Sequence, residues 1–194
     1  MISGKSLLFL LKHPMPKLLG LIFLLMVSGF FGCKNRPENS KSGVHARGLV
    51  YNNETTGRIN LQLPDGSSVL LDTSSVIRLS AGFNKTNREL SLEGAALFRT
   101  AISGLLPFVV YTKALRMTVI SSAAAFKIDG FPGSPGEEVD LLSGQLNVMK
   151  SYYSKSDNEP AELKAGEMVM INTDIELMEK ESFDSAALRD WIGK

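Results

Sequence analysis

From Gly57 onward the chain is a succession of short alternating runs divided by turn-forming residues. Ile59-Asn60-Leu61-Gln62-Leu63 alternates apolar with polar and then meets Pro64-Asp65-Gly66. Val69–Leu71, Val76–Leu79, Leu90–Leu92, Leu97–Phe98, Phe108–Thr112, Leu115–Val119 and Ala124–Ile128 follow, and then Val139–Leu141, Leu146–Val148, Leu163 and Met168–Ile171. Alternation with period two sends successive side chains to opposite faces of an extended chain, so such runs make half-buried strands. Proline fixes one backbone angle and glycine frees both, so the residues between the runs reverse the chain. Roughly ten strands at this spacing, with no long helical pattern among them, mean an all-β sandwich, barrel or solenoid over residues 57–172. The strand–Gly–strand units at Gly66, Gly94, Gly144 and Gly166 lean towards stacked short strands, β-solenoid-like or a twisted β-sandwich. After residue 173 the pattern changes. Asp184 is placed to cap a helix whose Leu188, Trp191 and Ile192 fall at i, i+3 and i+4, so the tail 173–194 is expected to carry a short C-terminal helix.

Composition narrows the chemistry. The chain of 194 residues has one Cys and two His, at 13 and 45, so it has no internal disulfide, no multi-thiolate zinc site and no histidine after residue 45. Lys and Arg number 21 against 20 Asp and Glu, which is not the balance of a nucleic-acid binder. All the acidic residues follow Cys33, while Lys5, Lys12 and Lys17 precede it.

The first 33 residues read as an export signal. Met1–Lys17 is basic and broken by Pro14 and Pro16, and Leu18–Gly32 is uncharged up to Cys33. A basic region, a short apolar run and small residues before a cleavage point describe a secretory signal. Gly32-Cys33 resembles the end of a bacterial lipoprotein signal, which implies Cys33 as the lipid anchor; Phe31 stands where that signal has a small residue. The other reading is an uncleaved signal anchor, since the run is short for a permanent span. Basic residues on both flanks leave orientation open. Either way the remainder is expected to be tethered to a membrane on the periplasmic side of the envelope. Residues 34–56, polar and without a sustained period, read as a linker.

The order of motifs in the body resembles the periplasmic domain of the FecR family. LPDGSSVLLDTSSVIRLS (63–80), with Pro64, Asp65 and Gly66, is similar to that family's opening L-P-D-G-S-x-V-x-L. Asn87–Gly94 resembles R-x-V-x-L-x-G, Leu97-Phe98 its A-x-F, and Pro107-Phe108-Val109-Val110 its P-F-x-V. Leu141–Val148, around Gly144, and Leu163–Glu167, around Gly166, match two later glycine motifs, and Asp184 and Trp191 the trailing F-D…W. The sequence departs at Gly94-Ala95-Ala96, where the family has G-E-A, and at Val119–Phe126, which lacks a turn glycine. Only seventeen residues precede the apolar run, where the family's regulators carry a cytoplasmic anti-sigma segment. The resemblance implies a module that binds an envelope protein, a receptor or a regulator, in signalling tied to uptake of iron complexes or glycans.

Asp65 in Pro-Asp-Gly reads as a turn former. Glu137, Glu138 and Asp140 suggest a calcium or glycosidase site but lack the spacing of a calcium loop, and read as a solvated loop edge. Glu176, Glu179, Glu181 and Asp184 read as a solvated face. No nucleophile with a base, no metal-ligand set and no phosphate loop is present, so no catalytic residue, cofactor or metal is expected. Tyr152 and Tyr153, in a polar loop with Lys150 and Lys155, are candidates for partner contact. The alternative is an exported carbohydrate-binding or carbohydrate-processing β protein using those tyrosines and the carboxylates at 137–140.

Overall fold

The computed structural model describes residues 48–102, 105–155 and 157–184, with Ala186, Leu188 and Trp191. The segment expected to be an export signal, Cys33 and most of the expected linker lie outside the described residues.

The alternating runs become strands: β1 (Val50–Asn52), β2 (Ile59–Gln62), β3 (Ser68–Leu71), β4 (Val76–Leu79), β5 (Arg88–Arg99), β6 (Phe108–Tyr111) and β7 (Leu115–Val119). They continue with β8 (Ala125–Gly130), β9 (Gly136–Ser143), β10 (Gln145–Lys150), β11 (Ala161–Lys164), β12 (Glu167–Asn172) and β13 (Leu177–Ser182). All belong to one sheet, whose main path runs β11-β10-β7-β6-β5-β8-β9-β12-β13. The central strand β5 makes this continuity possible. Its first half, Arg88–Glu93, pairs with β4 and β6; its second, Gly94–Arg99, pairs with β3 and β8.

Twelve residues in a straight strand would span about 36 Å. Yet the Arg88 side chain at the start of β5 donates to the carbonyl of Ala101, just past its end, at 3.0 Å. The strand therefore folds back on itself, and Gly94 is the corner, with φ +105°. At that point the Ser75 hydroxyl accepts a hydrogen bond from the Ala95 amide at 2.9 Å. The chain also crosses between the half-sheets at Gly144, between β9 and β10, and at Ala165-Gly166, between β11 and β12. The result is a nearly closed, barrel-like sheet.

This corrects the expected architecture, while its all-β character holds. A solenoid pairs the strands of successive coils in parallel, but only β5 and β6 pair that way among the described strands. Nor are there two independent sheets, because β5 supplies hydrogen bonds to both halves. The expected C-terminal helix is also corrected: no helix is an element of the described structure. What holds this tail is the side-chain docking of Leu188 and Trp191, described below. The segment read as a linker contributes β1, which pairs with β4, and the buried Asn53, whose amide donates to the carbonyls of Gly57, Leu71 and Asp72.

Inward side chains from both halves fill one core. At its centre Phe98 stacks on Phe126 with centroids 5.3 Å apart, and Phe108 meets Phe98 edge-on at 6.1 Å. Each such ring taken out of water contributes about 1.5–3 kcal/mol. The folded β5 leaves the barrel with two unlike ends. One, the Pro64 end, carries the turn at Pro64 and the loops 80–87, 100–107 and 120–123; the other, the Tyr153 end, carries 72–75, 112–114, 131–135, 151–160 and 173–176.

Candidate functional site

The turn residues of the sequence motif are tied into a buried ion pair. Asp65 accepts from the Ser67 amide and hydroxyl, as a turn-forming aspartate does. It also accepts from Arg88 Nη2 at 2.6 Å and Nε at 2.9 Å, with the two side chains only 2 % and 5 % exposed. Arg88 donates further to the carbonyls of Ala101 and Leu106 and lies over the Phe108 ring. Gly66, Pro107 and Phe108 surround this clamp, which closes the Pro64 end. It has no room for a ligand between its charges; its work is to hold three loops together.

A second charged cluster lies on the outer face of β8 and β9. Alternation sends Lys127, Asp129, Glu138 and Asp140 outward, and Lys127 Nζ sits 3.6 Å from Glu138, 3.6 Å from Asp140 and 3.9 Å from Asp129. The C-terminal tail lies against it. Leu188 is buried, and Trp191 lies under the Arg58 guanidinium at 3.9 Å, with Lys127 Nζ at 5.8 Å. Arg58 also donates to the Trp191 carbonyl and pairs with Asp72 at 3.2 Å. Leu97, opposite Lys127 in register, is shut off from solvent as well. Between tail and sheet remains a cleft of about 440 Å³ lined by Lys127, Glu138, Asp140, Met168 and Trp191.

Burial, reinforced by Glu138, pushes Asp140 up to about 6, against the pull of Lys127. A folded-state value above the ordinary 3.8 means that the fold binds this proton more tightly than the unfolded chain does. Stability from this group is therefore full below the ordinary value and is lost as pH rises towards 6, on the order of 2 kcal/mol in all. Burial raises Asp129 and Glu137 in the same direction. Urea unfolding of wild type and Asp140→Asn between pH 4 and 7 checks this: the gap should shift in favour of the variant as pH rises. A gap constant with pH contradicts it.

The carboxylates at 137–140 do not converge. Glu138 and Asp140 face outward to Lys127, whereas Glu137 points to the opposite side, where it accepts from the Thr112 hydroxyl and from the Ala114 amide at 3.1 Å. Among the described residues no group of three or more His, Cys, Asp or Glu is placed to hold a metal ion. The neighbouring tyrosines also part company. Tyr152 packs against the core with its hydroxyl buried, while Tyr153 is 87 % exposed at the tip of its loop. That loop is ordered from within: Lys150 Nζ donates to the carbonyls of Asp157 and Glu176, and the Glu176 carboxylate accepts from Ser154 and Lys155.

Of the motif residues, Phe98 and Phe108 lie in the core, Pro64, Gly66 and Pro107 at the clamped end, and Gly94, Gly144 and Gly166 at the passages between half-sheets. Sequence reasoning missed Arg88 and Lys127 as centres of charge. Lys127 stood at an outward position of an alternating run flanked by acidic neighbours, which is a usable signal; Arg88 offered none beyond its place in the family-like motif. Cys33 lies outside the described residues.

Comparison with known proteins adds the following. A family model described as FecR protein matches residues 50–147. Two crystal structures of a candidate anti-sigma factor from Parabacteroides distasonis superpose on 74 % of the chain with a TM-score of 0.65, at 21 % and 20 % identity. The superposed region spans 64 % of that protein's length, and at this identity the likeness is one of fold. No curated protein matches the chain in sequence.

Proposed function

The chain belongs to the FecR family, and from that premise we propose that it is a regulatory binding module that acts through protein–protein contact in signalling or assembly at the cell envelope. The observation that carries this reading is the family match over residues 50–147, which takes in both the Asp65–Arg88 clamp and the Gly94 corner. The module is tethered by the N-terminal apolar segment, through a lipidated Cys33 or an uncleaved anchor, and works on the periplasmic side. The stimulus it serves is nutrient uptake, of iron complexes or glycans. Two features support a binding role over catalysis. The carboxylates at 137–140 are split between opposite faces, and the exposed Tyr153 is held on an internally braced loop, which suits a contact residue.

The test is site-specific cross-linking in the native host, with benzoylphenylalanine in place of Tyr153 in the full-length chain. An adduct with an envelope receptor or regulator is expected, and Tyr153→Ala should cut recovery of that same protein by a tagged chain about tenfold, as loss of an aromatic anchor does. Recovery of a sigma factor joined directly to residues 1–17 overturns the reading.

A further inference from the structure

The two ends of the barrel differ in kind. At the Pro64 end, Ile102 is 81 % and Leu105 95 % exposed, both in the loop that Arg88 clamps. The loops 63–67, 80–87, 100–107 and 120–123 contain one carboxylate among them, Asp65, and Arg88 neutralises it. The exposed charges beside them are cationic, Lys85 in loop 80–87 and Arg99 at the end of β5. The Tyr153 end has the opposite balance, with Glu54, Asp157, Glu159 and Asp174 exposed against Lys113 and Lys155. Large apolar side chains left in water at a loop tip, with the fully exposed charges of the same end cationic, are complementary to an anionic lipid surface.

The course of the chain adds a second argument. The described chain begins at Gly48 and Leu49, which share a small hollow with Pro64 and Lys85, so it enters the fold at this same end. Fifteen residues separate Gly48 from Gly32, the last of the apolar run. Fully extended they reach about 50 Å, and less in any other form. A membrane reached through that tether stays within a few tens of ångströms of the residues best suited to touch it.

We propose that the Pro64 end rests on the bilayer, with Ile102 and Leu105 inserted at the headgroup level and Lys85 and Arg99 against anionic phosphates. This rests on the tethered reading above and goes beyond it by fixing the orientation: the Tyr153 end is then turned away from the membrane, towards partners.

The experiment reconstitutes the full-length chain in vesicles of phosphatidylethanolamine and phosphatidylglycerol, with benzoylphenylalanine at Leu105 or, separately, at Tyr153. On illumination, position 105 should form lipid adducts and position 153 should not. With the probe at Lys85 instead, Ile102→Asp with Leu105→Asp should lower the lipid-adduct yield by more than about tenfold, since each lost side chain is worth more than one such factor when buried. Both positions are exposed, so the double substitution leaves the core intact. Full-length chain that stays with the vesicles yet gives no lipid adduct at 105 overturns the docking alone. So does an adduct at 105 to a second protein chain, which would mark the tip as a protein contact. Failure of the chain to associate with vesicles at all overturns the tether, and the docking with it.

Discussion

Arg88→Met is expected to lower the stability of the fold by about 3–5 kcal/mol, because it leaves the Asp65 carboxylate buried without its counter-charge. The loss should lie at the upper end of that range, since the guanidinium also holds the carbonyls of Ala101 and Leu106. Asp65→Asn keeps the turn bond from the Ser67 amide but strands the arginine, and should cost a comparable amount. The informative variant is the double one. Asp65→Asn with Arg88→Met removes both charges and should recover a good part of the loss, as replacement of whole buried pairs does. Urea midpoints at constant slope measure all three. A single-variant loss under about 1 kcal/mol would mean that water reaches the pair and that it acts as a surface bridge does.

Gly94→Ala should be still less tolerated than its size suggests. Two penalties coincide there. A residue with a Cβ at φ +105° is strained in itself, by about 1–2 kcal/mol. The added methyl would also meet Ser75 at its hydroxyl, 2.7 Å from its Cβ and 2.8 Å from its Cα. Backbone cannot step aside as a flexible side chain can, so the corner of β5 must open and the pairing of one half-sheet must shift. The expected total is about 4 kcal/mol or failure to fold, in line with overpacking added to backbone strain. Gly133→Ala is the matched control, since Gly133 has φ +91° and no atom within 4 Å of a built Cβ. It should show the backbone penalty alone. Equal losses at the two sites would deny the corner its special role.

Much of this was legible in the sequence. Strict alternation marked Ile59–Leu63 and Leu115–Val119 as strands because each has one face in the core and one in water. Pro64-Asp65-Gly66 announced a turn through its own local chemistry. What was hidden depended on contacts distant along the chain. Leu90–Leu92 and Leu97–Phe98 read as two strands around a turn at Gly94, because a glycine that bends one strand and a glycine that ends it are spelled alike. Ser143-Gly144 read as a reversal, yet its flanking strands pair with β12 and β8 on one side and β7 and β11 on the other. The edge strands β1 and β13 escaped notice since a strand with a single partner and little core to fill carries few apolar residues. The site residues follow the same division. Glu137 and Glu138 are adjacent in sequence and face opposite ways, as do the roles of Tyr152 and Tyr153, and only the alternation of a strand or the bracing of a loop tells them apart. In the tail the spacing picked out Leu188 and Trp191, the two side chains that dock onto the sheet, while no helix stands as an element there among the described residues.

The doubling back of β5 has a consequence for how the molecule comes apart. The centres of the two half-sheets are the two halves of one strand, joined at Gly94 with no loop between them, so neither can come loose without pulling on the other. Amide protons on β3 and β8 should therefore exchange with solvent in step with those on β4 and β6, through one shared opening, where two independent sheets would show two. Such a molecule offers a protease no half-folded intermediate in which one sheet is complete and the other still frayed.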